Sequence, residues 1–288
     1  MGAQEDLSHW GRWGADDERG TLNLVTPQAI VDACGLVRRG TVYPLAIPME
    51  PRLSSPLRDG MIHGVTVRHD PGPARRQVAI DILALDSHNF THVDSLAHVA
   101  YGGCLYNGVP CDIVGSRGTS RFAIDRVTLV ARGVLADVAR ARGLTRLEAG
   151  DVVEPEDLDR ALLQARVEVR PGDVLLVRTG WIAQYLERPD SARGGWPGLG
   201  ARALRWLADR GVCAVGADNP AVEARPPDRA DRPAEFHDRF LRDLGGYLLE
   251  FLDLEQPARD GVAEGLFVTA PLRIAGGVGS PVTPLLIV

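Results

Sequence analysis

Short apolar runs bounded by glycine and proline alternate along this chain with capped amphipathic stretches, and that alternation most limits its fold. The runs at 42–47, 78–85, 127–130, 174–177, 212–215, 247–254 and 266–268 are rich in Val, Ile and Leu and read as strands. Thr26-Pro27 places an N-cap and an N1 proline ahead of Ile30, Val31 and Leu36, opening a helix toward Gly40. Glu154-Pro155-Glu156-Asp157 opens a second through Leu158, Leu162 and Leu163. A third covers 199–209, with Leu204 and Leu207 on one face and Gly211 beyond its end, and a fourth covers 234–243. Strands separated by helices predict an α/β fold. The earliest runs lack intervening helices, so the sheet should be mixed, with an antiparallel part. Segments 68–76 and 223–233 read as surface loops. With no internal repeat or low-complexity linker, 1–288 is expected to form a single domain.

Composition narrows the chemistry. All 32 basic residues are arginine. Without lysine there is no Schiff base to a carbonyl substrate or to pyridoxal phosphate, and no P-loop lysine. A formal charge of −6 and the absence of a basic block argue against a nucleic-acid partner. No apolar run approaches the ~20 residues of a membrane span, so no membrane partner is expected. The polar, acidic first twenty residues do not resemble a signal peptide. Cys34, Cys104, Cys111 and Cys213 form no CxxC pair, and a reducing cytoplasm is the expected location.

Three of the seven histidines fall within SHNFTHVDSLAHV, as His88-x3-His92-x-Asp94-x3-His98. On a helix Asp94 would sit about 200° round from His92. On an extended strand His88, His92 and Asp94 project to one side. Two imidazoles and a carboxylate at one point suit zinc, manganese or iron. The same extended reading turns Phe90 toward that point, where its ring would favour a hydrophobic, ring-containing substrate. Glu250 lies inside the apolar stretch Tyr-Leu-Leu-Glu-Phe-Leu, and a buried carboxylate needs a partner, either an arginine or a metal. His237, on the preceding helix, reaches the same place if Gly245-Gly246 fold the chain back.

Other features carry less. The GLGARA run at 198–203 follows a proline and no strand, so it reads as a helix start and not a dinucleotide loop. No GxSxG elbow is present. Trp10 and Trp13 read as core or contact residues, and His63 and His69 as solvent-facing. Asp218, Asn219 and Glu223 follow a strand end, a position that often carries function in α/β proteins.

The run His88-Asn-Phe-Thr-His92-Val-Asp94-Ser-Leu-Ala-His98 resembles the HxGTHxDxxxH signature of the cyclase family. That family includes bacterial kynurenine formamidases and manganese-dependent isatin hydrolases. WGADDERGTLNLVTP, RGVLAD, PGDVLLVRTGW and GVCAVGADNPAVE are similar as well, as is His237 with Leu249-Glu250-Phe251-Leu252. The resemblance implies a swivelling β/β/α fold and a homo-oligomer, dimer or tetramer. It implies His88, His92 and Asp94 as metal ligands, His237 and Glu250 completing a mononuclear or binuclear zinc or manganese site, and His98 as the acid/base. Phe90 stands where the family has glycine, marking the substrate pocket as the point of departure. The expected reaction is hydrolysis of an amide, lactam or lactone carbonyl of a hydrophobic, ring-containing small molecule. The alternative is a cyclase or dehydratase of secondary metabolism.

Overall fold

The computed structural model describes residues 7–58, 60–70, 72 and 74–288. At its centre is a nine-stranded sheet in the order Val42–Pro44, Leu285–Ile287, Glu264–Thr269, Leu129–Asp137, Val174–Arg178, Ala214–Ala217, Tyr247–Glu250, His92–Asp94, Gly279–Pro281. The four strands from Leu129–Asp137 to Tyr247–Glu250 are parallel, and every pairing outside them is antiparallel. Parallel neighbours need long crossovers, which the helices Pro155–Ala165, Trp181–Glu187, Ala203–Arg210 and Glu235–Arg242 supply. The mixed α/β architecture is therefore the one expected.

Strands buried on both faces read as continuous apolar runs, and Val174–Arg178 is buried at every residue. Alternate side chains divide between two cores. Val174, Leu176 and Leu249 pack on one face with Phe267 and Leu286. Leu175, Val177 and Leu248 pack on the other against Leu204, Leu207 and Phe240. Helix starts follow the local chemistry. Thr26 Oγ1 accepts from Ala29 N at 3.1 Å ahead of Pro27, and Glu154 with Asp157 forms a capping box. Gly211, at φ +65°, closes Ala203–Arg210.

Several elements depart from the sequence pattern. Helix Ala203–Arg210 starts later than expected because Gly198–Leu199 pairs with Val152–Val153. Leu129–Asp137 runs well past 127–130, and Arg132 within it is buried against two carboxylates. Strands Gly279–Pro281 and Leu285–Ile287 and helix Trp181–Glu187 were not expected, each being too short to show a period. The run at 78–85 is not a core strand. Gln77–Ala84 pairs only with Ile62–His69, which takes Arg68 and His69 out of the expected loop, and all sixteen residues are exposed. Among the described residues no helix is long and apolar enough to cross a membrane.

Arg132 joins three segments of the sheet. Its Nε and Nη2 donate to Asp173 Oδ1 and Oδ2 at 3.0 and 2.6 Å, and its Nη1 donates to Glu264 Oε2 at 2.7 Å. Both Arg132 and Asp173 are buried. Asp173→Ala should lower unfolding stability by about 3–5 kcal/mol in chemical denaturation, because it leaves a buried guanidinium without its main counter-charge. An unchanged denaturation midpoint would show that the pair does not hold the sheet.

Candidate metal centre

The His92–Asp94 strand lies between two antiparallel neighbours, and their register builds the site. Leu249 is opposite Val93, and Glu250 is opposite His92. Opposed residues share a face, so Val93 and Leu249 enter the core while His92, Asp94 and Glu250 meet on the other side. His92 Nε2 is 3.4 Å from both Asp94 Oδ1 and Glu250 Oε2. No arginine forms an ion pair with Glu250 among the described residues. Gly245, at φ +66°, and the bond from Gly246 N to Phe240 O fold the chain back after Glu235–Arg242. That fold brings His237 Nε2 to 3.5 Å from Asp94 Oδ2 and Nδ1 to 3.9 Å from Glu250 Oε1.

The extended path predicted through His88 is corrected by the structure. The strand begins at His92, and residues 87–90 form a tight turn. Asp86 Oδ1 accepts from His88 N at 2.8 Å, and Asn89 Oδ1 accepts from Ser55 N at 2.6 Å. Phe90 takes the left-handed conformation, φ +56°. His88 thus reaches the site from the turn, its Nδ1 2.7 Å from Asp94 Oδ1.

The Phe90 ring does not enter a substrate pocket. It is fully buried in an apolar cluster with Ile47, Leu53, Trp181, Tyr185, Trp196 and Phe251. Its contribution to the centre is its carbonyl, which accepts from His92 Nδ1 at 2.9 Å and leaves Nε2 free to face the carboxylates. A positive φ also explains why a glycine suits this position, since L side chains there cost about 1–2 kcal/mol.

His98 stacks on His88 with ring centres 4.0 Å apart, and its ring centre is 5.7 Å from that of His237. Two sets of ligand atoms therefore lie within 4.8 Å of one another: His88, His92 and Asp94, and Asp94, His98 and His237. Asp94, fully buried, belongs to both. His88 Nε2 and Asp94 Oδ2 are buried with no hydrogen-bond partner, an arrangement costly in a neutral core.

The electrostatics point the same way. Burial pulls His92 down, but Glu250 and Asp94 outweigh it and raise it to about 9. His237 rises to about 9 against burial, through Asp94 and Glu250. Asp94 is held well below the usual range by the surrounding imidazoles despite its burial. Burial drives the Glu250 carboxyl upward, against the pull of His92. His98, by contrast, is held down to about 3 by burial, reinforced by His88 and His237 and opposed by Asp94. The buried Asp94 carboxylate thus draws positive charge into a pocket of imidazole nitrogens, with Glu250 beside it. Orphaned atoms, N and O donors and this charge balance together fit a divalent ion.

The strand-end residues divide. Asp218 is a structural staple, accepting from Thr179 N, Thr179 Oγ1 and Gly180 N at 2.7–3.0 Å. Asn219 shapes the loop through Ala221 N and Val222 N, at 3.1 and 2.6 Å. Glu223 Oε2 accepts from His237 N at 3.2 Å, so it steadies the helix that carries a site histidine. His63 and His69 stay on the exposed hairpin, and Trp10 lies over the Arg242 guanidinium. A cavity of about 860 Å³ runs along another side of helix Glu235–Arg242, and none of the six clustered His, Asp and Glu residues lines it.

The Cyclase family model matches residues 44–224. A solved structure of a novel cyclase is 32% identical, covers 99% of this chain and 98% of its own, and superposes with a TM-score of 0.90. Isatin hydrolase A from Labrenzia aggregata, bound to benzyl benzoate, is 20% identical, with 87% and 93% coverage and a TM-score of 0.63. Isatin hydrolase A from Ralstonia solanacearum is 21% identical, with 91% and 98% coverage and a TM-score of 0.64. These two share the fold. No curated protein matches the chain.

Phe90→Gly sets two effects against each other. Losing a buried ring costs about 3–5 kcal/mol, and relieving a positive φ returns about 1–2. The variant should lose on the order of 2–3 kcal/mol in thermal or chemical unfolding yet keep its metal, since residue 90 acts on His92 through its carbonyl. Lost metal with unchanged stability would contradict this account of the turn.

Proposed function

This chain belongs to the cyclase family, and we propose that it is a metal-dependent hydrolase opening an amide, lactam or lactone carbonyl of a small molecule. The observation that carries the reading is a pair of donor sets that share Asp94, with two buried atoms among these residues, His88 Nε2 and Asp94 Oδ2, lacking a hydrogen-bond partner. His88, His92 and Asp94 would hold one ion, zinc or manganese. Asp94, His237 and Glu250 would extend the site toward a second. When bound, the ion supplies Lewis-acid polarisation of the carbonyl and acidifies water.

The chain's own residues orient and move protons. The Phe90 carbonyl holds His92 in one tautomer, and Asp94 orients His88. His98 is uncharged at neutral pH because burial disfavours its cation. It therefore offers a lone pair to a proton of the attacking water and passes that proton to the departing nitrogen or oxygen as the C–N or C–O bond breaks. Isatin hydrolases sharing the fold support a cyclic substrate. Phe90, buried away from the site, no longer supports a hydrophobic one. A second reading, ring closure with loss of water in secondary metabolism, is favoured by the cyclase 32% identical to this chain.

The hairpin supports a homo-oligomer, dimer or tetramer. Ile62, Val78, Ile80 and Ile82 share one face and are 69%, 37%, 44% and 61% exposed. A lone two-stranded ribbon is marginal in water, and a second copy of this chain is the occupant that covers it. Four unpaired cysteines suit a cytoplasmic protein.

Protein purified without chelator should carry roughly half an equivalent or more of a divalent transition metal, and His92→Ala should lose most of it. Chelation should abolish turnover of isatin, N-formylkynurenine or simple lactones, and His98→Ala should abolish it with metal retained. Full occupancy in His92→Ala, or turnover indifferent to chelation, would sink the reading. Separately, Ile80→Glu combined with Ile82→Lys should reduce the solution mass to that of one chain by light scattering. An unchanged mass would remove the hairpin from the interface.

A further inference from the structure

The turn 87–90 delivers His88 to Asp94, but something must leave room for its ring. Across the sheet from Asp94 stands Gly279, its directly opposed partner in the Gly279–Pro281 strand. Opposed residues in an antiparallel pair project to the same face. A side chain at 279 would therefore stand beside the Asp94 carboxylate, where the His88 ring lies. A Cβ built on Gly279 falls 2.6 Å from His88 Nε2 and 2.9 Å from Nδ1, and nearer still to Cε1. Real Cβ atoms essentially never approach other heavy atoms that closely.

Two ordinary reasons for a glycine are absent. Gly279 does not have a positive φ, and the atoms its Cβ would meet belong to a side chain and not to a crossing backbone. Other glycines of the sheet differ: Gly216 leaves room for the core side chains of Leu252 and Leu176, and Gly265 for the Ile287 carbonyl. Among the described glycines, Gly279 alone would place its Cβ against one of the clustered histidines. The obstructing group is a side chain and not backbone, so a larger residue at 279 has to displace the imidazole. His98, stacked on the same ring at 4.0 Å, would lose its neighbour as well.

We propose that Gly279 is a positioning residue of the centre: its missing side chain is the seat of the His88 imidazole, and it keeps Nδ1 against Asp94. The proposal rests on the reading of His88 as a metal ligand. It predicts that any side chain at 279 weakens metal binding through His88 without unfolding the protein.

The test is a double-mutant cycle on the intact chain, with Gly279→Ala, His88→Ala and the two combined. Zinc affinity is measured by calorimetry, and melting temperature on the metal-free proteins. Gly279→Ala should melt within about 4 °C of the parent. It should bind zinc about 10- to 100-fold more weakly, the range seen when a ligand's orienting partner is lost. In the His88→Ala background the same substitution should have no further effect on affinity, because the ring it displaces is gone. Parental affinity in Gly279→Ala, or an equal loss in both backgrounds, would overturn the proposal. If Gly279→Ala alone fails to fold, the double variant should fold, and an unfolded double variant would also overturn it. A metal-free readout separates this idea from the metal reading. The His88 ring resonances in nitrogen-15 spectra should shift in Gly279→Ala even if the parent binds no zinc, and unshifted resonances would defeat the proposal by themselves.

Discussion

The centre depends on one buried carboxylate. Asp94 has no exposed surface, and four imidazoles gather around it. An isolated ionised carboxylate at that depth would cost many kcal/mol, so its surroundings must compensate it. His88 does so from a turn, His92 from two residues before it, and His237 from a helix far along the chain. The consequence is mutual: the carboxylate holds the imidazoles in place, and together they form a pocket of donors that accommodates positive charge.

The surrounding backbone is organised to keep those donors aimed. Thr91 Oγ1 donates to Phe251 O at 2.6 Å and accepts from Ile47 N at 2.9 Å, tying the site strand to two distant segments. The Phe90 carbonyl fixes His92, and Glu223 holds the His237 amide. Beneath the turn, the Phe90 ring joins Trp181 and Tyr185, which stack at 4.9 Å, in an apolar base. A left-handed phenylalanine is tolerated because the packing of its ring exceeds the backbone cost. The rigidity of the donor set comes from these contacts and not from the three-residue strand itself.

Much of this is legible in the sequence. The His88, His92, Asp94 and His98 spacing, the anomalous Glu250 in an apolar run and the Gly245-Gly246 return all pointed to residues that the fold gathers. Side-chain parity turns Phe90 toward the metal only if the strand extends back to His88, and a turn held by Asp86 and Asn89 reverses that direction. Alternation cannot detect such a turn, because a single left-handed residue changes which side every preceding side chain faces. The exposed hairpin failed for a similar reason: an apolar run reads the same whether its cover is its own core or another molecule.

The sequence by itself determined the chemistry available and where several helices begin. It supplied imidazoles and carboxylates, excluded lysine chemistry, and wrote caps such as Thr26-Pro27 and Glu154-Pro155, because these depend on residues within one turn of each other. Only the tertiary structure decided which strands are neighbours, that Glu250 stands opposite His92, and that Gly279 stands opposite Asp94 and beneath His88. Those facts are matters of register between segments more than 150 residues apart. Register is set by the packing of both faces of the whole sheet, so no local pattern in either strand contains it.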